Sequence, residues 1–270
     1  MIKKIAAAFE FLTIVPLPFK RVDVAVWSEI GRSSAVFPIV GLIIGGAYLL
    51  CFSALKYVLA IDVCAVFVLA LGALITGGLH LDGVSDTFDA LAARRTPAQR
   101  LAIMKSGAAG PIGVSAIVLT LLLKYVLLKN LLSSPQISSA LVLLTYPVAG
   151  RFAATAAMFT GKSAKPEGLG WTFIEQTGVK EFIVAAGLIF LICTLLNLYL
   201  GSGVSALSAA VHSIAIIIII AVAAKISGQF CERRFGGLTG DTMGAFIEGI
   251  ELIFLIYLTT GGHTCQRGFI

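Results

Sequence analysis

Residues 204–224 read VSALSAAVHSIAIIIIIAVAA, twenty-one positions without one Asp, Glu, Lys or Arg. Crossing the hydrocarbon of a bilayer takes roughly 17 to 25 such residues as a helix, the one open-ended form that satisfies its own backbone in lipid. Outward from this run, six more segments share its character: residues 33–55, 63–79, 107–123, 137–160, 182–200 and 244–260. The 270 residues are 58% hydrophobic and 13% charged, with a mean hydropathy of +0.99. Soluble domains carry about a quarter charged residues, so a water-soluble globule, a disordered chain and a disulfide scaffold are excluded. The five cysteines form no CxxC pair and read as small apolar residues. The expected fold is all-α, a single membrane domain over residues 1–270: a polytopic bundle of about seven transmembrane helices. Ahead of them, the stretch from Ile5 to Phe19 lacks a small-residue cleavage site and is broken by Glu10, Pro16 and Pro18. It reads as a short N-terminal interfacial helix, with Lys3 and Lys4 at the membrane surface.

Charge sets the expected orientation. With the loop 20–32 taken as cytoplasmic, fifteen Lys and Arg fall inside, from Lys3 to Arg234. Four fall outside, namely Lys56, Lys124, Lys129 and Arg267, and Arg151 sits within the fourth span. The excess follows the positive-inside rule, places the N-terminus in the cytoplasm and the C-terminus outside, and accounts for the net charge of +6 without nucleic acid.

At the inner end of the second span stands Gly77-Gly78-Leu79-His80-Leu81-Asp82-Gly83-Val84-Ser85-Asp86-Thr87-Phe88-Asp89. At 100° per residue Asp82, Asp86 and Asp89 fall at roughly 0°, 40° and −20°, one narrow helix face. Like charges so placed repel, and carboxylates beside hydrocarbon are expensive. A cluster without an interleaved base wants a cation, and oxygen ligands favour Mg²⁺ or Mn²⁺. The plainer reading is a helix end solvated by water, though such ends normally mix signs. His80 lies about 200° from the acidic face on that helical wheel, a poor ligand but a candidate general base. His212, alone in an apolar run, reads as a packing or interhelical hydrogen-bond residue.

The string GGLxxD recurs at Gly236-Gly237-Leu238-Thr239-Gly240-Asp241-Thr242, followed by Glu248 and Glu251. Asp241 and Glu248 share a helix face, and both glutamates enter the last apolar run, where unpaired charge is costly and usually functional. The first copy follows an inbound span and the second precedes an outbound one, as two halves of a shared site would. Glycines let backbone N–H groups approach phosphate oxygens, which makes Gly168, Gly170, Gly237 and Gly240, with Thr239 and Thr242, candidate phosphate binders. Lys105, Lys165 and Arg151 add positive charge, and an Arg within a span seeks a carboxylate or a phosphate. Acids for a metal opposed by bases describe a site for a diphosphate substrate and for phosphoryl transfer.

These residues resemble the cobalamin synthase family, adenosylcobinamide-GDP ribazoletransferase, over nearly the whole chain. The resemblance starts at Phe11-Leu12-Thr13 with Pro16 and Pro18, and continues through Phe37-Pro38-Ile39-Val40-Gly41. It then runs through the aspartate stretch and Glu167-Gly168-Leu169-Gly170 to the closing Gly236 to Glu251 block. It implies a Mg²⁺-dependent integral enzyme of the bacterial cell inner membrane, with its site on the cytoplasmic side. Such an enzyme joins adenosylcobinamide-GDP to α-ribazole, or its 5′-phosphate, and releases GMP. Asp82, Asp86 and Asp89, with Asp241 and Glu248, would hold the metal. An Asp or His80 would take a proton, and Arg151, Lys105 and Lys165 would neutralise phosphate. Its partners would be these substrates and membrane lipid, not nucleic acid, with other enzymes of the pathway docking on basic loops.

Two departures stand out. The family's Lys-Asp-Ser-Arg is Lys105-Ser106-Gly107-Ala108 here, and its Arg before the EGLG stretch is Lys165. A CDP-alcohol phosphotransferase-like enzyme is the nearest alternative, disfavoured because Val84-Ser85-Asp86 follows Asp82-Gly83 where that type carries an Ala-Arg pair. A cation-coupled transporter is a further one, and would want its acids near the bilayer midplane.

Overall fold

The computed structural model describes residues 2–16, 30–93, 95–201 and 203–261. Pro18, Lys20, Arg21, Arg94, Arg267 and the C-terminal tail lie outside the described residues. Among those described there are eleven α-helices and no strand. They are α1 (Ile2–Leu12), α2 (Phe37–Leu55, entered through a 3-10 turn at Gly31–Val36), α3 (Ile61–Thr76), α4 (Leu79–Ala92), α5 (Pro97–Met104), α6 (Pro111–Leu132), α7 (Ser139–Thr160), α8 (Leu169–Gln176), α9 (Val179–Leu200), α10 (Ala206–Phe235) and α11 (Gly240–Gly261).

Six of these, α2, α6, α7, α9, α10 and α11, are long and apolar enough to cross a membrane, and α3 with α4 makes a seventh, bent pair. The 16 residues of α3 reach about 24 Å, and α4 leaves them at 87°. We therefore read α3 as the crossing segment and α4 as lying outside it.

α7 is the axis of the bundle. Its most apolar window is 94% buried, against 17% for α9. Runs of small residues (Ala149, Gly150, Ala153, Ala154, Ala156, Ala157) let neighbours approach its backbone. Gly41 and Gly45 of α2 use that access: a Cβ at either would fall within 2.7 Å of a backbone carbonyl oxygen of α7. On α6, α9 and α10 the outward side chains are instead Leu119, Leu122, Ile183, Leu191, Ile214 and Ile218, all exposed. A surface of that kind suits lipid rather than water.

Two span boundaries differ from the sequence reading. The third span runs over Pro111–Leu132 rather than 107–123, so Lys124 and Lys129 are helical residues and not part of an outer loop. Hydropathy drops at each lysine, but both find acids: Lys124 as described below, and Lys129 at 3.9 Å from Asp62. α10 continues 11 residues past Ala224, which carries Lys225, Arg233 and Arg234 on a helix instead of a loop. Two short helices, α5 and α8, lie in segments read as connections; α5 opens with a Thr96–Gln99 capping box. His212 does bond across helices, Nδ1 to the Tyr257 hydroxyl at 2.6 Å.

Candidate active site

Both GGLxxD copies end a helix on a left-handed glycine but differ after it: Leu79 directly follows a second left-handed glycine and opens the next helix, whereas Gly237 has φ 150° and Leu238 and Thr239 precede the helix that begins at Gly240. α3 ends at Gly77 and Gly78, both left-handed (φ 62° and 73°). There the N–H of Gly78 bonds the Ala73 carbonyl at 2.8 Å. α10 ends the same way at Gly236 (φ 80°), with the Gly237 N–H on the Cys231 carbonyl at 3.2 Å. Side chains other than glycine's resist this backbone region. After each turn come a leucine and a helix with an acid in its first turn, Asp82 in α4 and Asp241 in α11. The two new helices pack against each other where a Cβ on Gly83 would lie 2.5 Å from the Asp241 carbonyl oxygen. The repeat thus brings its two acids to one corner of the molecule.

Asp82 is exposed, and Asp86 and Asp241 are half-buried. Burial, then the charges of Asp82, Asp241 and Asp89, push the Asp86 carboxyl up to about 6. None of the ion pairs between described residues involves Asp82, Asp86 or Asp241. Among the described residues, no three acidic, His or Cys side chains stand as a ready coordination cage. What does fit a hard cation is the donor chemistry: oxygen ligands alone, mutually repelling, one of them exposed and able to turn.

Two expected metal ligands, Asp89 and Glu248, and one expected phosphate binder, Arg151, have protein partners. Both carboxylate oxygens of Asp89 are taken by the start of α6, from Gly110 N–H at 2.6 Å and Gly113 N–H at 2.8 Å. A helix N-terminus leaves such donors unpaired and favours negative charge, so Asp89 is a cap, and the glycine loop after Lys105 spends these two N–H groups on it. Glu248 accepts from Lys124 Nζ at 2.6 Å, and Lys124 also reaches Glu251 at 2.5 Å. Arg151, expected at phosphate, donates instead to Glu251.

Lys124, Arg151, Glu248 and Glu251 form a neutral cluster, two cations and two anions, each in the middle third of its helix and each buried. With Tyr48, Thr76, Tyr146 and His80 they line a cavity of about 30 Å³, into which the unpartnered Arg151 Nε is buried. A polar space of that size holds about two waters. Lys124 is the residue that the sequence reading missed. The signal was present: Gly110-Pro111 is a helix start, and a full span from there passes beyond Lys124.

Above this cluster lies a chamber of about 410 Å³ between α1, the EGLG stretch and the N-terminal turn of α11. Lys165, Gly168, Gly170, Thr239, Gly240 and Asp241 line it, as does His80. His80 is 3% exposed, with Nδ1 4.0 Å from Glu248 Oε1, and so borders both spaces. Thr239 and Thr242 bond each other's backbone N–H groups at 3.1 and 2.8 Å, closing the start of α11. Gly237 lets Leu238 pair with the 162–164 stretch, where the Leu238 N–H bonds the Lys162 carbonyl at 2.7 Å. Lys105 is exposed at the end of α5 and borders neither space. A second cleft, about 610 Å³, contains Gly77, Gly78 and Asp82 and shares Glu10, Phe11 and Leu79 with the chamber. Glu10 and Phe11 had no site role in the sequence reading. The Phe11 ring stacks on Phe173 at 3.9 Å, which pins α1 as the wall between the two spaces.

No solved structure matches the chain. Among curated proteins, it is 34% identical to adenosylcobinamide-GDP ribazoletransferase of Thermoanaerobacter sp. over 94% of its own length and 96% of the relative's. It is likewise 34% identical to that of Acetivibrio thermocellus, with the same coverage. The protein of that name from Caldanaerobacter subterraneus is 30% identical over 96% and 98%. The model of the cobalamin-5-phosphate synthase family matches residues 4–259, and with relatives aligned end to end over the two GGLxxD turns, the chain belongs to that family.

Proposed function

We propose that the protein is a Mg²⁺-dependent adenosylcobinamide-GDP ribazoletransferase. It moves the adenosylcobinamide-phosphate group onto α-ribazole, or its 5′-phosphate, with release of GMP. The observation that carries this reading is the corner where two glycine-ended turns set Asp82 against Asp241, each lining one of two adjoining spaces, with the half-buried Asp86 on the same helix as Asp82. A transferase with two bulky substrates needs such an arrangement, and the relatives carry this name over matching length.

Asp82, Asp86 and Asp241 would hold the metal, which when bound supplies positive charge to the diphosphate and to the departing phosphate. Lys165 adds charge from the chamber side. A ribose hydroxyl of the acceptor attacks the phosphorus that carries the cobinamide arm. The bond from that phosphorus to the bridging oxygen breaks, GMP leaves with the oxygen, and the hydroxyl proton passes to His80, which lines the chamber. The excess of basic residues at the α4, α5 and α8 end supports a cytoplasmic orientation for this face, in an inner membrane. Substrates and docking pathway enzymes would reach it from there. The transporter alternative, which would use Asp82, Asp86, Glu248 and Glu251 as ion ligands, loses support, because Glu248 and Glu251 already hold Lys124 and Arg151.

The test is product formation by the full chain in lipid, given adenosylcobinamide-GDP and α-ribazole with Mg²⁺ or with EDTA. Equal amounts of GMP and a cobalamin, formed only with the metal, are expected. No product where a close relative is active would overturn the reading, and CDP-alcohols would be tried next.

A further inference from the structure

We propose that the 410 Å³ chamber is the acceptor site, shaped for a nucleoside with a flat, apolar aromatic base, and that the cleft beside Asp82 receives the nucleotide-bearing donor. The assignment rests on the transferase reading above and divides its two substrates between two spaces. Six apolar side chains of the chamber lining, Leu12, Ala154, Met158, Leu238, Met243 and Ile247, are each at most 3% exposed. None of these side chains offers a conventional hydrogen bond. Guanine brings a carbonyl, a ring N–H and an amino group that would all be stripped of water there without replacement, which is costly. An alkylated benzimidazole joined to ribose through one nitrogen has no N–H and no carbonyl to lose. Thioethers from Met158 and Met243 adapt to such a ring, and Trp171, 39% exposed at the rim, gives it a stacking face.

The chamber is also lined by polar groups, among them Glu10, His80, Glu167 and Thr239. Lys165 and Asp241 stand with Gly240 at the start of α11, where a ribose hydroxyl would face the acids and a 5′-phosphate would face the lysine. Size agrees as well. Small-molecule sites run about 300 to 1,000 Å³, and 410 Å³ admits a nucleoside but not a corrinoid macrocycle with its amide arms. The larger, more open cleft lies across Phe11 and Leu79, with Asp82 in its wall. The two substrates then meet where α4 and α11 touch.

Trp171 also supplies the reporter, since the chain has two tryptophans and Trp27→Phe leaves Trp171 alone. In lipid nanodiscs, α-ribazole is expected to change its emission saturably, and GMP is expected not to displace it. Ala154→Met, which adds bulk among these apolar side chains, should raise the Kd for α-ribazole by roughly tenfold or more and leave the KM for adenosylcobinamide-GDP unchanged. Trp171→Ala, at a position too exposed to threaten folding, should weaken α-ribazole in the same sense when followed by calorimetry. Displacement by GMP, absence of saturable α-ribazole binding, or variants that raise only the donor's KM would overturn the assignment. Product formation with only the donor's KM altered sinks the chamber assignment and leaves the transferase standing. Variant-sensitive α-ribazole binding without any product does the reverse.

Discussion

Replacing Lys124 by methionine should destabilise the protein far more than a lysine-to-methionine change normally does in an apolar helix. Lys124 is 4% exposed, Glu248 7% and Glu251 3%, and its ammonium group lies 2.6 Å from one carboxylate and 2.5 Å from the other. The cluster of Lys124, Arg151, Glu248 and Glu251 is neutral as it stands. Without the lysine, two carboxylates share one arginine, and Glu248 keeps no cation within ion-pair distance except the His80 ring, if that is charged. Breaking a buried pair from one side costs about 3–5 kcal/mol, against a total stability of about 5–15 kcal/mol for a typical domain. Glu248→Gln alone should also destabilise, since it leaves a cation in excess. The double variant Lys124→Met/Glu248→Gln removes one charge of each sign and should recover about 2 kcal/mol or more relative to the sum of the single losses, within the range of couplings between contacting residues. Unfolding in mixed micelles against SDS mole fraction, followed by far-UV circular dichroism, gives all four corners of the cycle. A Lys124→Met loss below about 1 kcal/mol, or strictly additive effects, would refute the buried cluster as the source of the stability.

Other outcomes follow from the acidic corner. Asp82→Asn or Asp86→Asn should cut turnover by at least about 10²-fold, the scale of losing an electrostatic group at the reacting centre, while membrane insertion stays normal; full activity in either variant removes the metal site. Asp89→Ala should cost about 1–2 kcal/mol as a lost helix cap and leave the half-saturating Mg²⁺ concentration unchanged, and a large shift in that concentration would return Asp89 to the ligand set. Asp86, with its carboxyl raised to about 6, should make metal activation pH-dependent. A raised carboxyl pKa means that the ionised form is disfavoured in the fold, so this group's destabilising contribution appears as the pH rises through the unfolded value and is fully present above about 6. A cation relieves it, and below that pH the cation must displace a proton. The half-saturating Mg²⁺ concentration should therefore climb as the pH falls from 7 to 5, by up to roughly tenfold per unit. A flat profile over that range would exclude Asp86 from metal binding.

The spans were legible because they rest on composition, and composition survives any detail of packing. Their ends were less so. Hydropathy treats a lysine as a boundary, yet Lys124 stays inside because two glutamates on a helix more than a hundred residues away in sequence cancel it. The same non-local pairing gives Glu248 and Arg151 partners on other helices that their own helices do not announce. An intramembrane charge announces that it needs a partner, but one helix alone does not say whether the partner is a ligand or another helix. The N–H partners of Asp89 were hidden for a related reason. Its position on the acidic face is real, but a face shared on one helix does not reveal that the start of α6 arrives beside its last turn with unpaired N–H groups. The meeting of the two GGLxxD copies, in contrast, was readable from their order along the chain, because each couples a glycine stop to an acid in the following turn.

That coupling also explains why the acids can sit where they do. Carboxylates at a membrane boundary gain from being held apart from hydrocarbon, and each Gly-Gly-Leu turn ends one helix and leads into another with the acid already in its first turn, near the positive end of the new helix. Packing Gly83 on the backbone of Asp241 brings the two helix starts into contact. The resulting acidic corner would drift if α6, α7 and α11 could slide, and beneath it the buried cluster joins those three helices through charges that tolerate little displacement. His80 touches both levels, bordering the chamber on one side and the cluster on the other. The fold thus separates two kinds of acid by what surrounds them. Glu248 and Glu251 are neutralised by lysine and arginine deep in the bundle and hold it together. Asp82, exposed, and Asp86 and Asp241, half-buried, make no ion pair with the described residues and so keep their charge uncompensated.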